Sequence, residues 1–285
     1  MPDLSYDSIE LNREHGPWQY DWRPLIGRYL DAVDIAFPWH REASPWGPPV
    51  APPTLLGNAT LRFVDSIAPV PPGTLHAKLD LEITNALRAD RGLIGYGTFA
   101  EKYERRGRRW FVFRAGWRDI DGLMIGRAAI TMAFPAEEGG SAKGEGDGGP
   151  PKAELTLPPR SLTREKIAAY SADSANALRG QSIHANPHVA EAKGFPDAVA
   201  QGMMSADYIS ELMAGRLERG WLLHGRLSLA FVAPAFAGDT LTAKAVKREE
   251  EDEGAFVRHL YDAWCENQHG EVVTVGTASG LVAAA

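Results

Sequence analysis

The ten residues LHAKLDLEIT at 75–84 and LHGRLSLAFV at 223–232 superimpose without a gap, at an offset of 148. In a chain of 285 residues, a self-likeness at about half the length means two copies of one unit. Apolar and polar residues alternate in both segments, and Leu79, Leu81 and Ile83 match Leu227, Leu229 and Phe231. A period of two puts each set on one face of a half-buried strand. Downstream, ALRADRGLIG at 86–95 matches PAFAGDTLTA at 234–243, a turn followed by another strand. Upstream the likeness is looser. Residues 48–63 resemble 196–210 as a tight turn and a helix, and FPWH at 37–40 stands where QSIH stands at 181–184.

Each half therefore reads as short helices, a histidine-bearing loop, one long apolar helix and several antiparallel strands. The second long helix is expected over about 199–215. Val199, Met203, Ala206, Ile209, Leu212 and Met213 make its broad apolar face, and Asp207 and Glu211 are its only charges. A helix with so little polar surface has to be wrapped by other structure, and a curved antiparallel sheet does this. Residues 136–152 are glycine-rich and charged, with nothing to bury, and read as a flexible linker. The expected division is an N-terminal half at 1–135, the linker at 136–152 and a C-terminal half at 153–285. Ser161 followed by Glu165 predicts a capped helix start.

The charge balance, 30 Lys and Arg against 37 Asp and Glu, disfavours nucleic acid or an anionic membrane as partner. No basic patch with interleaved aromatics occurs, and no run approaches the roughly 20 apolar residues of a membrane helix. The first residues lack an apolar core and a cleavage signature. Cys265, the single cysteine, cannot form an intrachain disulfide. The expectation is a cytoplasmic protein in which Cys265 is a half-buried structural thiol. The run REEEDE at 248–253 and the group Arg105, Arg106, Arg108 and Arg109 read as solvated hairpin turns.

The stretch GQSIHANPHVAEAKGF at 180–195 carries two histidines four residues apart. As a metal pair, His184 and His188 would need a third ligand, and none is evident, so no metal is expected. His188 falls on the exposed face of a short helix starting near Asn186-Pro187. Taken alone, His184 reads as an ordinary surface or cap residue.

The surrounding residues change that reading. IHANPHVAEAKGFPDAVAQGM resembles the signature of the MaoC-like, (R)-specific enoyl-thioester hydratases and dehydratases. His184 lies ten residues before Gly194-Phe195, as the catalytic histidine of that family does, and Val199-Ala200-Gln201-Gly202 matches the start of its central helix. VAPAFAGDTL at 232–241 matches its Pro-x-x-x-Gly-Asp turn. The resemblance implies an α+β double hot-dog, two long central helices each wrapped by a curved antiparallel sheet. It also implies a degenerate N-terminal half and a C-terminal half that keeps the site. The implied substrate is a 2-enoyl thioester of coenzyme A or an acyl carrier, with no further cofactor, and the implied assembly is a homodimer.

Reversible addition of water to such a thioester needs a base for the water proton and donors for the enolate oxygen. The resemblance gives the base role to His184, whose side-chain type titrates near 6.5. Gly202 would lend the unpaired N–H groups of a helix N-terminus, and Gln201, Val199 and Arg179 would contact substrate. The acidic partner is displaced. The usual aspartate place, five residues before the histidine, holds Arg179, which accepts no hydrogen bond. Counting from YSADSAN at 170–176 puts Asn176 in the acid's place, with about three extra residues before His184. Asn176, Asp173 and Arg179 all stay open as partners of His184.

In the first half, His40 lacks a nearby carboxylate or carboxamide, and Pro53 stands where Gly202 stands, removing an N–H. His40 is therefore expected to be structural. Trp18, Trp22, Trp39 and Trp46 read as packing or as the wall of an acyl pocket. Other chemistry on the same fold (a cyclase or pericyclase) and a non-catalytic acyl-binding subunit remain alternatives.

Overall fold

A computed structural model describes residues 2–135 and 151–284. Most of the expected linker at 136–152 lies outside the described residues. The first half runs β1 (Glu14–Tyr20), α1 (Ile26–Ala32), α2 (Pro38–Arg41), α3 (Leu55–Ile67), β2 (Leu75–Ile83), β3 (Leu93–Arg105), β4 (Arg108–Asp119) and β5 (Met124–Ala133). The second opens with β6 (Leu155–Thr156), β7 (Arg160–Ser161), α4 (Arg164–Ser171), α5 (Ala175–Leu178) and α6 (Pro187–Glu191). It continues with α7 (Gly202–Leu217), α8 (Arg219–His224), β8 (Arg226–Phe231), β9 (Thr240–Asp252), β10 (Phe256–Asn267) and β11 (Val272–Ala283).

The two halves share one antiparallel sheet of 11 strands, ordered β1-β3-β4-β5-β2-β8-β11-β10-β9-β6, with β7 also on β9. The seam is β2 against β8, the two strands whose sequences repeat. Leu79 pairs with Leu229, Asp80 with Ser228 and Leu81 with Leu227. Asp80 and Ser228 are themselves repeat equivalents, so a pseudo-twofold axis passes between them, and the Ser228 hydroxyl donates to the Asp80 carboxylate at 2.6 Å. Both hot-dog units thus join edge to edge, which removes two sheet edges that would otherwise be open.

The inner face grips α3 and α7. The helix α7 buries twelve of its sixteen residues, from Met203 to Leu217. Each large apolar side chain so enclosed contributes about 1.5–3 kcal/mol against being exposed. It starts later than its apolar pattern suggests, because Val199 and Ala200 bond across to Ile183 and Ala235 in extended form before the first helical turn. Gly57 sets the distance between the helices: a Cβ there would stand 2.8 Å from Met203 Cε and 2.9 Å from Leu79 Cδ1.

The two charges of α7 are not solvated. Asp207 is fully buried and accepts from Tyr29 Oη (2.5 Å) and Tyr170 Oη (2.6 Å). Asn58, its counterpart on α3, donates to both tyrosines at 3.0 and 2.8 Å. A polar knot on the pseudo-twofold axis therefore ties α1, α3, α4 and α7. Burial pushes the Asp207 carboxyl up to about 7, against the pull of the tyrosine hydroxyls.

Other local readings shift. Thr163, not Ser161, caps α4, its hydroxyl accepting from Lys166 N. Cys265, near the end of β10, is fully buried rather than half-buried. Residues 248–252 finish the exposed end of β9, and the turn itself comes after them. Trp18 stacks on Phe63 of α3 at 5.2 Å and meets Trp117 edge-on at 6.0 Å, and Trp22 is fully buried, so these two are core packing.

Candidate active site

His184 sits on a loop pinned from both sides. Its backbone N–H donates to Ser182 Oγ at 3.1 Å, and Val199 N–H donates to the Ile183 carbonyl at 3.1 Å. Ile183, Ala190 and Val199 form a small apolar cluster with Val189, Phe195 and Phe236, which holds the loop and α6 onto the β8–β9 turn. The left-handed φ of Gly194, +83°, lets the chain leave α6 and turn back toward α7.

The His184 ring is fixed by Nδ1, 2.6 Å from the carbonyl oxygen of Val199, three residues before α7 begins. A carbonyl only accepts, so Nδ1 carries the proton and Nε2 is the free base. Burial pushes the ring down to about 4. The Val199 bond opposes this, and the positive charge of Arg62 adds to it. At neutral pH the imidazole is therefore neutral and able to take a proton.

Gly202 opens α7 under the ring of Phe231. A Cβ at this position would fall 2.6 Å from Phe231 Cδ1 and 2.7 Å from Cγ, so only glycine fits. In the first turn of α7 the Met204 N–H bonds back to the Gln201 carbonyl at 2.9 Å, which leaves the N–H groups of Gly202 and Met203 without an acceptor in the helix. Gln201, at the N-cap, makes no capping bond; its Nε2 donates to Ser171 Oγ at 2.8 Å. The Val199 side chain packs in the apolar cluster, while its carbonyl holds His184.

None of the three candidate partners bonds to the His184 ring. Arg179 is exposed and pairs with Asp3 at 2.6 Å. Asp173 pairs with Arg62 at 3.1 Å and accepts from Tyr20 Oη at 3.2 Å. Asn176 donates Nδ2 to the Val70 carbonyl at 3.3 Å, and its Oδ1 is buried without a partner among the described residues. A buried amide oxygen left bare costs about 1–3 kcal/mol; Asn58 Oδ1 and Tyr208 Oη are bare in the same way, and what marks Asn176 is its place in the segment leading to His184.

The first half repeats the histidine anchor. His40 Nδ1 lies 2.7 Å from the Val50 carbonyl, and Ala51 N–H bonds to Leu87 O as Ala200 N–H bonds to Ala235 O. His40 is sealed in, at 4% exposure, whereas His184 is partly open. Pro52 and Pro53 precede α3, so that helix presents fewer N–H groups than α7.

His188 is exposed and near only Glu191, and no group of metal ligands occurs among the described residues. Two features escaped the sequence. His76 on β2 meets Phe231 with ring centres 4.8 Å apart, and Arg62 reaches from α3 toward the His184 loop. The periodicity of β2 and α3 marks both positions only as strand and helix surface.

Residues 148–259 match the model of the MaoC like domain. An (R)-specific enoyl-CoA hydratase of Rhodospirillum rubrum is 34% identical over 101 residues, which is 35% of this chain and 68% of that protein. The chain belongs to the MaoC-like family. Solved structures agree in fold over the whole length of this MaoC-like protein. A MaoC-like dehydratase superimposes with a TM-score of 0.73, at 15% identity, covering 99% of this chain and 100% of that one. A Mycobacterium tuberculosis protein with a double hot-dog fold gives 0.62 at 12% identity, covering 99% and 98%. The family match falls on the half of the MaoC-like chain that carries His184. No described helix is long and apolar enough to cross a membrane.

Proposed function

We propose that the protein adds water reversibly to a 2-enoyl thioester, with coenzyme A as the carrier. The observation that carries this reading is the His184–Val199 bond, which leaves an unprotonated Nε2 on the loop leading into α7. In the hydration direction, Nε2 takes a proton from water as the water oxygen bonds to C3. The displaced electron pair moves to the thioester oxygen. First-turn N–H groups of α7, from Gly202 on, stabilise that oxyanion, aided by the helix dipole. The imidazolium then returns a proton to C2, which restores the free base and the carbonyl. Dehydration retraces these steps.

Asn176 completes the arrangement by accepting the second hydrogen of the water through Oδ1. Its bare buried oxygen supports that role, and the Val70 bond fixes the orientation of the amide. Asn176 positions the water and takes no proton, which leaves His184 as the single base. Gln201, Val199 and Arg179 then act less directly than their places in the signature imply. Gln201 and Val199 shape the start of α7 and the His184 ring, and Arg179 would reach substrate only by leaving Asp3. The first half covers the acyl chain, and a homodimer in the cytoplasm is the proposed working form.

The test is the loss of the enoyl-thioester absorbance of crotonyl-CoA with purified protein and with His184→Ala. Turnover that falls by about two decades or more in the variant supports the reading. Equal turnover in both refutes it.

A further inference from the structure

The half without a site holds the segment on which the proposed site depends. Asp65, one turn along α3 from Arg62, places its carboxylate between two loops. It accepts the N–H of Val70 at 3.4 Å through Oδ1 and the N–H of Ala175 at 3.3 Å through Oδ2. The next residue, Asn176, donates to the carbonyl of the same Val70. Arg62 lies 3.7 Å from Asp65 and 3.1 Å from Asp173, with side chains only 10% exposed for Arg62 and 13% for Asp65. Tyr20 of β1 closes the cluster on Asp173. One Arg–Asp pair thus fixes residues 173, 175 and 176 and the loop their amide leans on.

The duplication supplies a mirror image. Glu211, which stands on α7 where Arg62 stands on α3, accepts the N–H of Ala36 at 2.8 Å and pairs with Arg160 at 3.3 Å. Ala36 leads into His40 as Ala175 leads into Asn176 and His184. Each central helix therefore grips the histidine-side loop of the opposite half through a carboxylate on a backbone N–H. Such reciprocity goes beyond what burial of a polar residue requires.

We propose that Arg62 and Asp65 are positioning residues for Asn176, so that the degenerate half is retained as a clamp on the working one. The proposal rests on the role given to Asn176 above. A buried carboxylate accepting two backbone donors is stiff, and small misplacements of a site group cost large factors in rate. The charged and titratable groups around the clamp are Arg62 and Asp65 on α3, Asp173 beyond α4, Tyr20 on β1 and His184. The Arg62 charge also acts on His184, lowering its pKa along with burial.

Three variants of the full chain separate positioning from folding: Asp65→Asn, Arg62→Lys and, as the mirror control, Glu211→Gln. With crotonyl-CoA, Asp65→Asn is expected to lower kcat by about tenfold or more with little change in KM. Arg62→Lys should keep most of the rate. Glu211→Gln, which loosens the half without a site, should keep the wild-type kcat even where its melting temperature falls as far. Amide exchange reads the clamp without turnover. The Ala175 N–H, held by Asp65, should be protected in the parent protein and exchange about tenfold faster in Asp65→Asn. Equal kcat losses in Asp65→Asn and Glu211→Gln, or unchanged Ala175 exchange in Asp65→Asn, overturn the clamp. Absence of turnover in the parent protein instead refutes the hydratase reading, and exchange at Ala175 still decides the clamp.

Discussion

The carbonyl of Val199 holds Nδ1 of His184 at 2.6 Å, and the carbonyl of Val50 holds Nδ1 of His40 at 2.7 Å in the same way. One anchor thus occurs twice, but only one copy is partly exposed and followed by a glycine-started helix. His184→Gln is expected to lower kcat by about two decades or more, while His40→Gln lowers it less than about threefold. Steady-state kinetics on the two variants, with melting curves to confirm folding, check the asymmetry. Similar losses in both would contradict it.

The pH profile follows from the lowered pKa. With the ring held down to about 4 by burial, His184 stays a free base through the whole range in which an ordinary histidine protonates. The acid limb of kcat/KM for the free enzyme is expected near pH 4 to 5, and activity should be level between pH 6 and 7. An inflection near 6.5 would mean that the ring is solvated in the working protein.

Gly202→Ala is expected to be damaging although alanine is the better helix former. The added Cβ would press on Phe231 at 2.6 Å, an overpacking cost of about 1–3 kcal/mol, and would shift the first turn of α7. Gly215, in the same helix, has open space at its Cβ, so Gly215→Ala should be neutral or stabilising. Urea midpoints and kcat for the pair check this.

Asp207 and three histidines pull stability in opposite directions. His40, His76 and His184 are each lowered to about 4, so the unfolded chain binds more protons than the folded one between pH 4 and 6.5. Stability from these groups rises with pH across that window. Asp207, raised to about 7, binds a proton in the folded state that the unfolded chain has lost, so its share falls as pH rises from 4 to 7. Asp207→Asn removes only the second effect. Relative to the parent protein, this variant should gain stability as pH rises from 5 to 8, read from urea midpoints at the two values. A difference that does not change with pH would contradict the raised carboxyl.

The repeat between residues 75–84 and 223–232 was legible because strand pairing demands the same alternation in both copies, and β2 and β8 then met each other at the seam. The His184 loop was legible because its spacing to Gly194 and Gly202 depends on local turns. What sequence could not give was the direction of side chains in buried polar contacts. Asp207 and Glu211 read only as the two charges of a wrapped helix, with no partners assigned, yet each is matched to donors from distant elements, Tyr29 and Tyr170 for one and Ala36 and Arg160 for the other. Arg62 and Asp65 were hidden for the same reason, since their partners lie more than a hundred residues away in Asp173 and Ala175. Asn176 was found by counting from Tyr170, but its bare Oδ1 is a property of the folded surroundings alone.

The central claim is that a neutral His184 takes the proton from water at an enoyl thioester. The most direct measurement is the rate of crotonyl-CoA hydration by the parent protein and by His184→Ala at neutral pH. The account predicts saturable turnover in the parent and a loss of about two decades or more in the variant. Undiminished turnover in the variant, or none in the parent with crotonyl-CoA and with longer or branched 2-enoyl-CoA thioesters, would contradict it.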